Sequence, residues 1–332
     1  MSVLNINSPI ISKNISKATA IHCNSTDRKY SEVDKAKTVA KFLDLDLEIV
    51  EPSFDEFCND IDTLFYLQEQ PFGDPSIYMQ YKVMEKASHL GIKVMLDGQG
   101  ADEAFMGYSK YLGSRIFEDI INLKWLTAIN SIKNAMKNNN LSLRSIFNFI
   151  LGTRFELIKR FGLVLNTNIK FNYVLSFLRR SDKVRSSKSV QYSEIYQYPL
   201  QTLLRNEDRN SMHFSIEARV PYLDHKLVSA LYHLPITKKV ENGWSKLLLR
   251  NAAQESLPED IIYRKDKLGF NSPPSWLDKI SYSEILESKI LKTIFSKDID
   301  MKHIEGLNSN LRWRLLSIAI WERVFKIKTL VK

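Results

Sequence analysis

The chain has 332 residues, 44% hydrophobic and 26% charged, with 47 Lys and Arg against 38 Asp and Glu for a net charge of +9. That length holds one large or two ordinary domains around a substantial core, and the composition excludes a disordered or fibrous protein. No apolar run approaches a bilayer span, Met1 to Pro9 lacks the regions of a signal peptide, and Cys23 and Cys58 have no metal or CxxC spacing, so the expectation is a reduced, cytoplasmic protein.

The positive charge is uneven. Ser114 to Val190 carries 14 Lys or Arg and 4 Asp or Glu, whereas the remaining residues carry 33 and 34. The basic character therefore belongs to one segment and does not argue for a general nucleic-acid binder.

In chain order, the first fifteen residues carry little pattern. Lys17 to Cys23 reads as a strand, ending in the polar loop Asn24 to Asp27. Ser31 to Phe42 is helical, with Val33, Ala36, Val39, Ala40 and Leu43 on one face. Leu45 to Val50 is a second strand and Phe54 to Leu67 a second helix. Pro71 to Ser76 breaks the chain and starts a helix over Ile77 to His89. Ile92 to Leu96 is a buried parallel strand by its length and composition. Strands alternating with helices predict an α/β fold with a doubly wound parallel sheet.

From Ser114 the pattern is helical and basic, interleaved with Trp125, Phe147, Phe149, Phe155, Phe161, Phe171, Tyr173 and Phe177. Aromatics packing inward with Lys and Arg in water is the favoured reading, ahead of an RNA or membrane-surface role. From Tyr192 the chain reads as helical to its end. Leu311 to Phe325 is amphipathic, with Trp313, Leu316, Ile320, Trp321 and Val324 as its inner face.

The chemistry gathers after the strand that ends at Leu96. There Asp97-Gly98-Gln99-Gly100-Ala101-Asp102-Glu103 forms a glycine turn with two carboxylates, followed by Phe105-Met106-Gly107-Tyr108. A strand, a glycine turn and a helix start present backbone N–H groups to a phosphate. Asp102 adds a hard oxygen ligand suited to the Mg²⁺ of a nucleotide. Taken alone, the stretch is equally a capped turn with a solvated acidic pair.

The stretch does not stand alone. Met212 to Asp224 contains Glu217-Ala-Arg219-Val-Pro221-Tyr222-Leu-Asp224, and Gly243-Trp-Ser-Lys246-Leu-Leu-Leu249-Arg250 follows. Leu257-Pro258, Arg264-Lys-Asp-Lys267-Leu-Gly269-Phe270 and Trp276 come next. In this order the motifs resemble those of the glutamine-dependent asparagine synthetases, over about residues 17 to 112 and 190 to 327.

The resemblance implies an ATP pyrophosphatase (adenine nucleotide alpha hydrolase-like) sheet followed by a mostly helical C-terminal half. The implied reaction is ATP-dependent amidation of a carboxylate, aspartate or a related acid such as a sugar uronate, through an acyl-adenylate. ATP and Mg²⁺ are the implied cofactors, and ammonia the amine. By resemblance the nucleotide lies against the main chain near Ile21 and along Asp97, Gly98, Gln99, Gly100 and Asp102, with Asp102 on Mg²⁺. Lys246 is the implied cation at the reacting phosphate, grouped with Asp102 and Glu103 as catalytic. On its own Lys246 reads as an ordinary helix lysine. Arg264 and Lys267 are implied for phosphate or the acceptor carboxylate, or else are surface charges. Glu217 and Arg219 read as a structural ion pair.

Some positions depart from the family pattern. Gln99 stands where several relatives have a Glu proposed as a base, and an amide takes no proton at neutral pH. Asp97 replaces the commoner Ser and Met106 the commoner Gly. The first phosphate loop, Ser-Gly-Gly-x-Asp-Ser, occurs nowhere in these residues, and neither does a glutaminase domain with its cysteine nucleophile. The expectation is a synthetase-type domain over residues 1–332, truncated at its N-terminus, with a gap in its sheet and a basic helical insertion at residues 114–190. Its partners would be small molecules and a glutaminase chain or upstream fragment, with neither membrane nor nucleic acid favoured. A non-catalytic remnant, or one subunit of a split synthetase, is the alternative.

Overall fold

The computed structural model describes residues 18–152, 170, 186–265, 271–295 and 299–327. Strand β1, Thr19–Cys23, runs parallel to β2, Asp46–Val50, with Thr19 opposite Asp46 and Cys23 opposite Val50. The crossover between them is α1, Val33–Phe42, which buries Ala36, Val39 and Ala40, the face that helical spacing assigns to the core. A second parallel pair joins β3, Val94–Leu96, to β4, Glu217–Arg219. Among the described residues the four strands form these two pairs.

Two helices lie between β2 and β3. Helix α2, Phe54–Gln68, opens on a capping box in which Ser53 Oγ accepts from the Glu56 amide and the Glu56 carboxylate accepts from the Ser53 amide. This satisfies two N–H groups that a helix start leaves without partners. Ser53→Ala is expected to cost about 1 kcal/mol, read from chemical denaturation. Helix α3, Ile77–His89, is buried along Tyr78, Met79, Tyr81, Val83, Met84 and Ala87. Met84 and Ala87 pack with Ile216, and Ile21 of β1 and Met95 of β3 close against that cluster. One helix thus supports both strand pairs.

The main core joins this N-terminal half to the long helix Ser309–Phe325. Phe57 stacks on Trp276 at 4.9 Å and Phe65 on Phe72 at 4.4 Å. Trp313 Nε1 donates to the Phe72 carbonyl at 3.1 Å, and the Phe72 amide donates to Ser317 Oγ at 2.9 Å. The Pro71–Ser76 break is therefore pinned to a helix over two hundred positions away in sequence. Of the inner face expected for that helix, Trp313, Leu316 and Ile320 are buried, while Trp321 and Val324 lie half-buried at its edge.

Several boundaries differ from the sequence reading, each for a local reason. The third strand begins at Val94, because the Ile92 amide is spent on the Ala87 carbonyl at the end of α3. The C-terminal half is not wholly helical: Glu217–Arg219 is drawn into β4, since pairing with β3 outweighs local propensity over three residues.

Helices α4, Ala101–Ala104, and α5, Ser109–Ile121, lead into the basic segment, which continues in α6, Trp125–Asn139, and α7, Leu143–Gly152. Trp125 and Phe147 are 55% and 59% exposed, so these two aromatics face solvent rather than the interior. Phe155, Phe161, Phe171, Tyr173 and Phe177 lie outside the described residues. The chain continues in α8, Ser187–Tyr196, whose first amide donates to Glu118 of α5 at 2.6 Å, and in α9, Leu200–His213. The far end of α6 meets a distant turn: Asn138 donates to the Asn242 carbonyl at 2.8 Å, and Asn139 donates to that of Gly243. Among the described residues no helix is long and apolar enough to cross a membrane. Cys23 is buried, Cys58 is exposed, and both thiols are free.

Candidate active site

The turn after β3 is set from behind. The Asp97 amide extends the β3–β4 pairing by donating to the Arg219 carbonyl at 2.8 Å. Gly100 has φ +85°, and a Cβ there would stand 2.2 Å from Leu223 Cδ2, so only glycine allows both the left-handed backbone and the close approach. The chain then makes the single turn of α4 and closes with the Gly107 amide on the Asp102 carbonyl at 2.7 Å.

Gly107 is the reason two charged side chains meet. A Cβ at Gly107 would lie 1.8 Å from Asp102 Oδ1 and 2.3 Å from Lys246 Cε. In that space Lys246 Nζ stands 2.9 Å from Asp102 Oδ1, with both side chains 27% exposed. An ion pair between side chains so exposed contributes modestly to stability, although Asp102 Oδ1 itself is shielded from solvent.

Lys246 adopts a left-handed backbone, φ +55°, immediately before the helix Leu247–Ala252. Arg250 of that helix donates from Nε to the Ser245 carbonyl at 2.9 Å and lies over the Trp244 ring at 4.7 Å. Its guanidinium also donates to the Ile262 carbonyl. Arg250 thus fixes the turn that presents Lys246, and Ser245 Oγ reaches the Gly107 carbonyl at 3.4 Å.

A buried polar bridge holds α4 from the other side. Gln191 Nε2 donates to the carbonyls of Glu103 and Ala104 at 3.2 and 2.8 Å, while Lys239 Nζ donates to Gln191 Oε1 and to the Leu231 carbonyl, each at 2.8 Å. Burial, and then the nearby Lys188, push the Lys239 ammonium down to about 8.

Among the residues singled out from the sequence, Asp102 and Lys246 are brought together, and Gly98, Gln99 and Gly100 form the turn beside them. Glu103 is 1% exposed. Its carboxylate accepts from the Tyr108 hydroxyl, which burial and then the Glu103 charge hold well above the usual phenol range. Ile21 is half-buried in β1. Arg264 forms an ion pair with Glu32 at the head of α1. Burial holds the His22 imidazole below its usual range, with Glu32 acting the other way, so Arg264 sits on the side of the molecule where β1 ends. Lys267 lies outside the described residues. Glu217 and Arg219 do pair, at 2.8 Å, on the surface of β4.

One residue of the site escaped the sequence reading. Glu207 of α9 is 2% exposed and faces Asp97 and Gln99. The run Asn206-Glu207-Asp208-Arg209 looks like a solvated face. The available signal was positional: Glu207, Asn210 and Ser211 share one side of α9, and all three are buried.

The profile of the asparagine synthase family matches residues 7–323. The chain is 28% identical over 326 residues to asparagine synthetase [glutamine-hydrolyzing] 1 of Bacillus subtilis, covering 89% of this chain and 50% of that protein. It is 38% identical over 101 residues to asparagine synthetase [glutamine-hydrolyzing] 3 of the same organism, covering 30% of this chain and 16% of that one. A putative asparagine synthetase [glutamine-hydrolyzing] of Mycobacterium tuberculosis is 24% identical over 325 residues, covering 89% of this chain and 49% of that protein. The chain thus spans about half the length of the first and third of these relatives.

Proposed function

The chain belongs to the asparagine synthase family, and from that premise we propose that its residues serve ATP-dependent amidation of a carboxylate, aspartate or a related acid such as a sugar uronate. The observation that carries this reading is the contact of Asp102 with Lys246 across Gly107, beside a glycine turn that closes a parallel strand. In the proposed reaction an oxygen of the acid attacks the α-phosphorus of ATP and pyrophosphate leaves, giving an acyl-adenylate. Ammonia then attacks the acyl carbon, AMP leaves and one proton is given up.

The amides of the Asp97–Asp102 turn would receive phosphate, with adenine along the main chain near Ile21. Asp102 already holds one cation, the Lys246 ammonium, which fits the single-carboxylate docking that Mg²⁺ carried by a triphosphate uses. When bound, Mg²⁺ supplies charge neutralisation on the pyrophosphate. Lys246 then offsets charge at the reacting phosphorus, a role that preorganised donors perform in a partly dry site. Glu103, although grouped with these residues by the resemblance, serves from behind the turn by holding Tyr108. Arg264 and Lys267 are assigned to phosphate or to the acceptor carboxylate.

In the same proposal the two parallel strand pairs are flanks of one doubly wound sheet of the ATP pyrophosphatase type, supported by their common packing on α3. Residues 1–332 act as one synthetase-type domain and residues 114–190 as a basic helical insertion within it. A second reading is favoured by the lack of any Ser-Gly-Gly-x-Asp-Ser stretch in the 332 residues: the chain works with another segment or subunit that completes the phosphate clamp, with a glutaminase chain as the source of ammonia.

Nucleotide binding gives the direct test. Residues 1–332 are expected to bind Mg·ATP weakly in calorimetry, and Asp102→Ala to weaken binding by a further factor of ten to a hundred, since a hydrogen bond to a charged group is worth about 1.5–3 kcal/mol. Tight binding indifferent to that substitution would remove Asp102 from the site.

A further inference from the structure

Glu207 is deeply buried against a second carboxyl. The residue is 2% exposed, and neither carboxyl oxygen has an aligned hydrogen bond. The groups it faces are Asp97 and Gln99, the first and third residues of the glycine turn. Two carboxylates facing each other offer only acceptors, so a hydrogen bond between them forms only when one carries a proton. Ionising the buried Glu207 carboxyl in contact with a half-buried second carboxylate is also costly near neutral pH.

Among the described residues no cation bears on Glu207, and Lys82 of α3 is held by Glu85. From α2 and α3 come amides, with Gln68 donating to Asn210 Oδ1 at 2.9 Å and Asn210 donating to Gln80 Oε1 at 3.1 Å. From α8 comes Glu194, which is held by Lys110. In β4, Glu217 and Arg219 pair with each other at the surface. The cations of α9 itself are engaged elsewhere: Arg205 on the Gln68 carbonyl at 2.6 Å and Arg209 on Glu69 at 2.6 Å. Asp97 is the charged group that bears on Glu207.

We propose that Glu207 is a positioning residue that holds one proton in common with Asp97, and that this proton fixes the Asp97–Asp102 turn in the form that receives phosphate. The proposal rests on the reading of that turn as the nucleotide site. The Gln99 side chain also meets the Glu207 carboxyl, so turn and helix are joined by a neutral group and a shared proton.

The chemistry agrees in direction. Burial first, then the charge of Asp97, push the Glu207 carboxyl up from the carboxylate range to about 8, with the Gln99 side chain acting oppositely. A carboxyl raised on folding gives its stability below the unfolded value, and that stability is lost as pH rises through the folded one. The fold should therefore weaken from mildly acidic pH towards about 8, and above that a second negative charge would stand behind the phosphate turn.

The test uses the full chain as wild type, Glu207→Gln and Glu207→Ala, with Mg·ATP as the calorimetric probe and thermal unfolding as a nucleotide-free readout, from about pH 6 to about pH 9. Wild type is expected to lose about tenfold in affinity across that range beyond any change in Glu207→Gln, and its unfolding temperature to fall where that of Glu207→Gln does not. Glu207→Gln supplies a permanent neutral donor and should rescue at alkaline pH what Glu207→Ala loses at every pH. An identical pH profile in wild type and Glu207→Gln would overturn the shared proton. Wild type that binds no Mg·ATP at any pH would instead overturn the nucleotide reading and the coupling to it, and the unfolding profiles would still decide the proton.

Discussion

Ammonia-dependent synthesis by residues 1–332 alone, followed as AMP and pyrophosphate release with aspartate and ammonium, is expected to stand near background. Asp102 and Lys246 meet, but a triphosphate must be gripped on more than one side for in-line attack. Losing one oxyanion-type donor costs about 10²–10³ in rate, and a whole phosphate loop carries several. Supplying a Ser-Gly-Gly-x-Asp-Ser segment with its strand, fused ahead of Ser2 or added as a separate chain, is expected to raise turnover by more than that factor. Robust turnover by the 332 residues unaided would mean that the clamp is built from other groups. Glutamine is expected to be inert as a nitrogen source on the 332-residue chain, because no stretch in it resembles the cysteine nucleophile of a glutaminase.

Gly107→Ala should separate chemistry from folding. The new methyl would fall 1.8 Å from Asp102 Oδ1 and 2.3 Å from Lys246 Cε, both outer atoms of side chains that can swing aside. Gly107 is also absent from the left-handed region, so alanine is acceptable to its backbone. The fold is therefore expected to survive with a change of at most about 1 kcal/mol in denaturation. The cation and carboxylate would be driven apart, and turnover of the completed enzyme would fall by about 10²–10³. Gly100→Ala offers the contrast. There φ is +85° and Leu223 blocks the methyl at 2.2 Å, so its loss of function should come with a loss of stability. Unchanged turnover in Gly107→Ala would show that the Asp102–Lys246 contact is incidental.

The turn itself was legible in the sequence, because Gly98, Gly100 and Asp102 follow an apolar strand at a spacing with few physical uses. The first crossover helix was equally legible, since α1 buries Ala36, Val39 and Ala40 of the face its periodicity marks, with Val33 and Leu43 half-buried at its ends. Lys246 was not readable from its own surroundings. Nothing local distinguishes it from other helix lysines, and only the resemblance set it beside Asp102. Gly107 belongs to the motif in sequence, but what it provides is room for Asp102 and Lys246, and a space between side chains from distant stretches has no local signature. Glu207 and Lys239 were passed over for a different reason. Charged residues in a helical pattern are ordinarily solvated, and their burial follows from tertiary partners, Asp97 for one and Gln191 for the other.

The meeting of α6 with the turn before Lys246 affects how the basic segment can be studied. A Cβ on Gly243 would stand 2.3 Å from the backbone of Asn134, and Asn138 and Asn139 hold the carbonyls of Asn242 and Gly243. Helix α6 of that segment is thus a strut whose tip meets the chain three residues short of the candidate cation. Cutting it out as a block would free Lys246 from one of its supports, so a deletion variant that loses turnover would say nothing about the segment's charge. Charge reversals at Lys124, Lys133 and Lys137, which leave the asparagines in place, separate what the basic surface does from what the strut holds still.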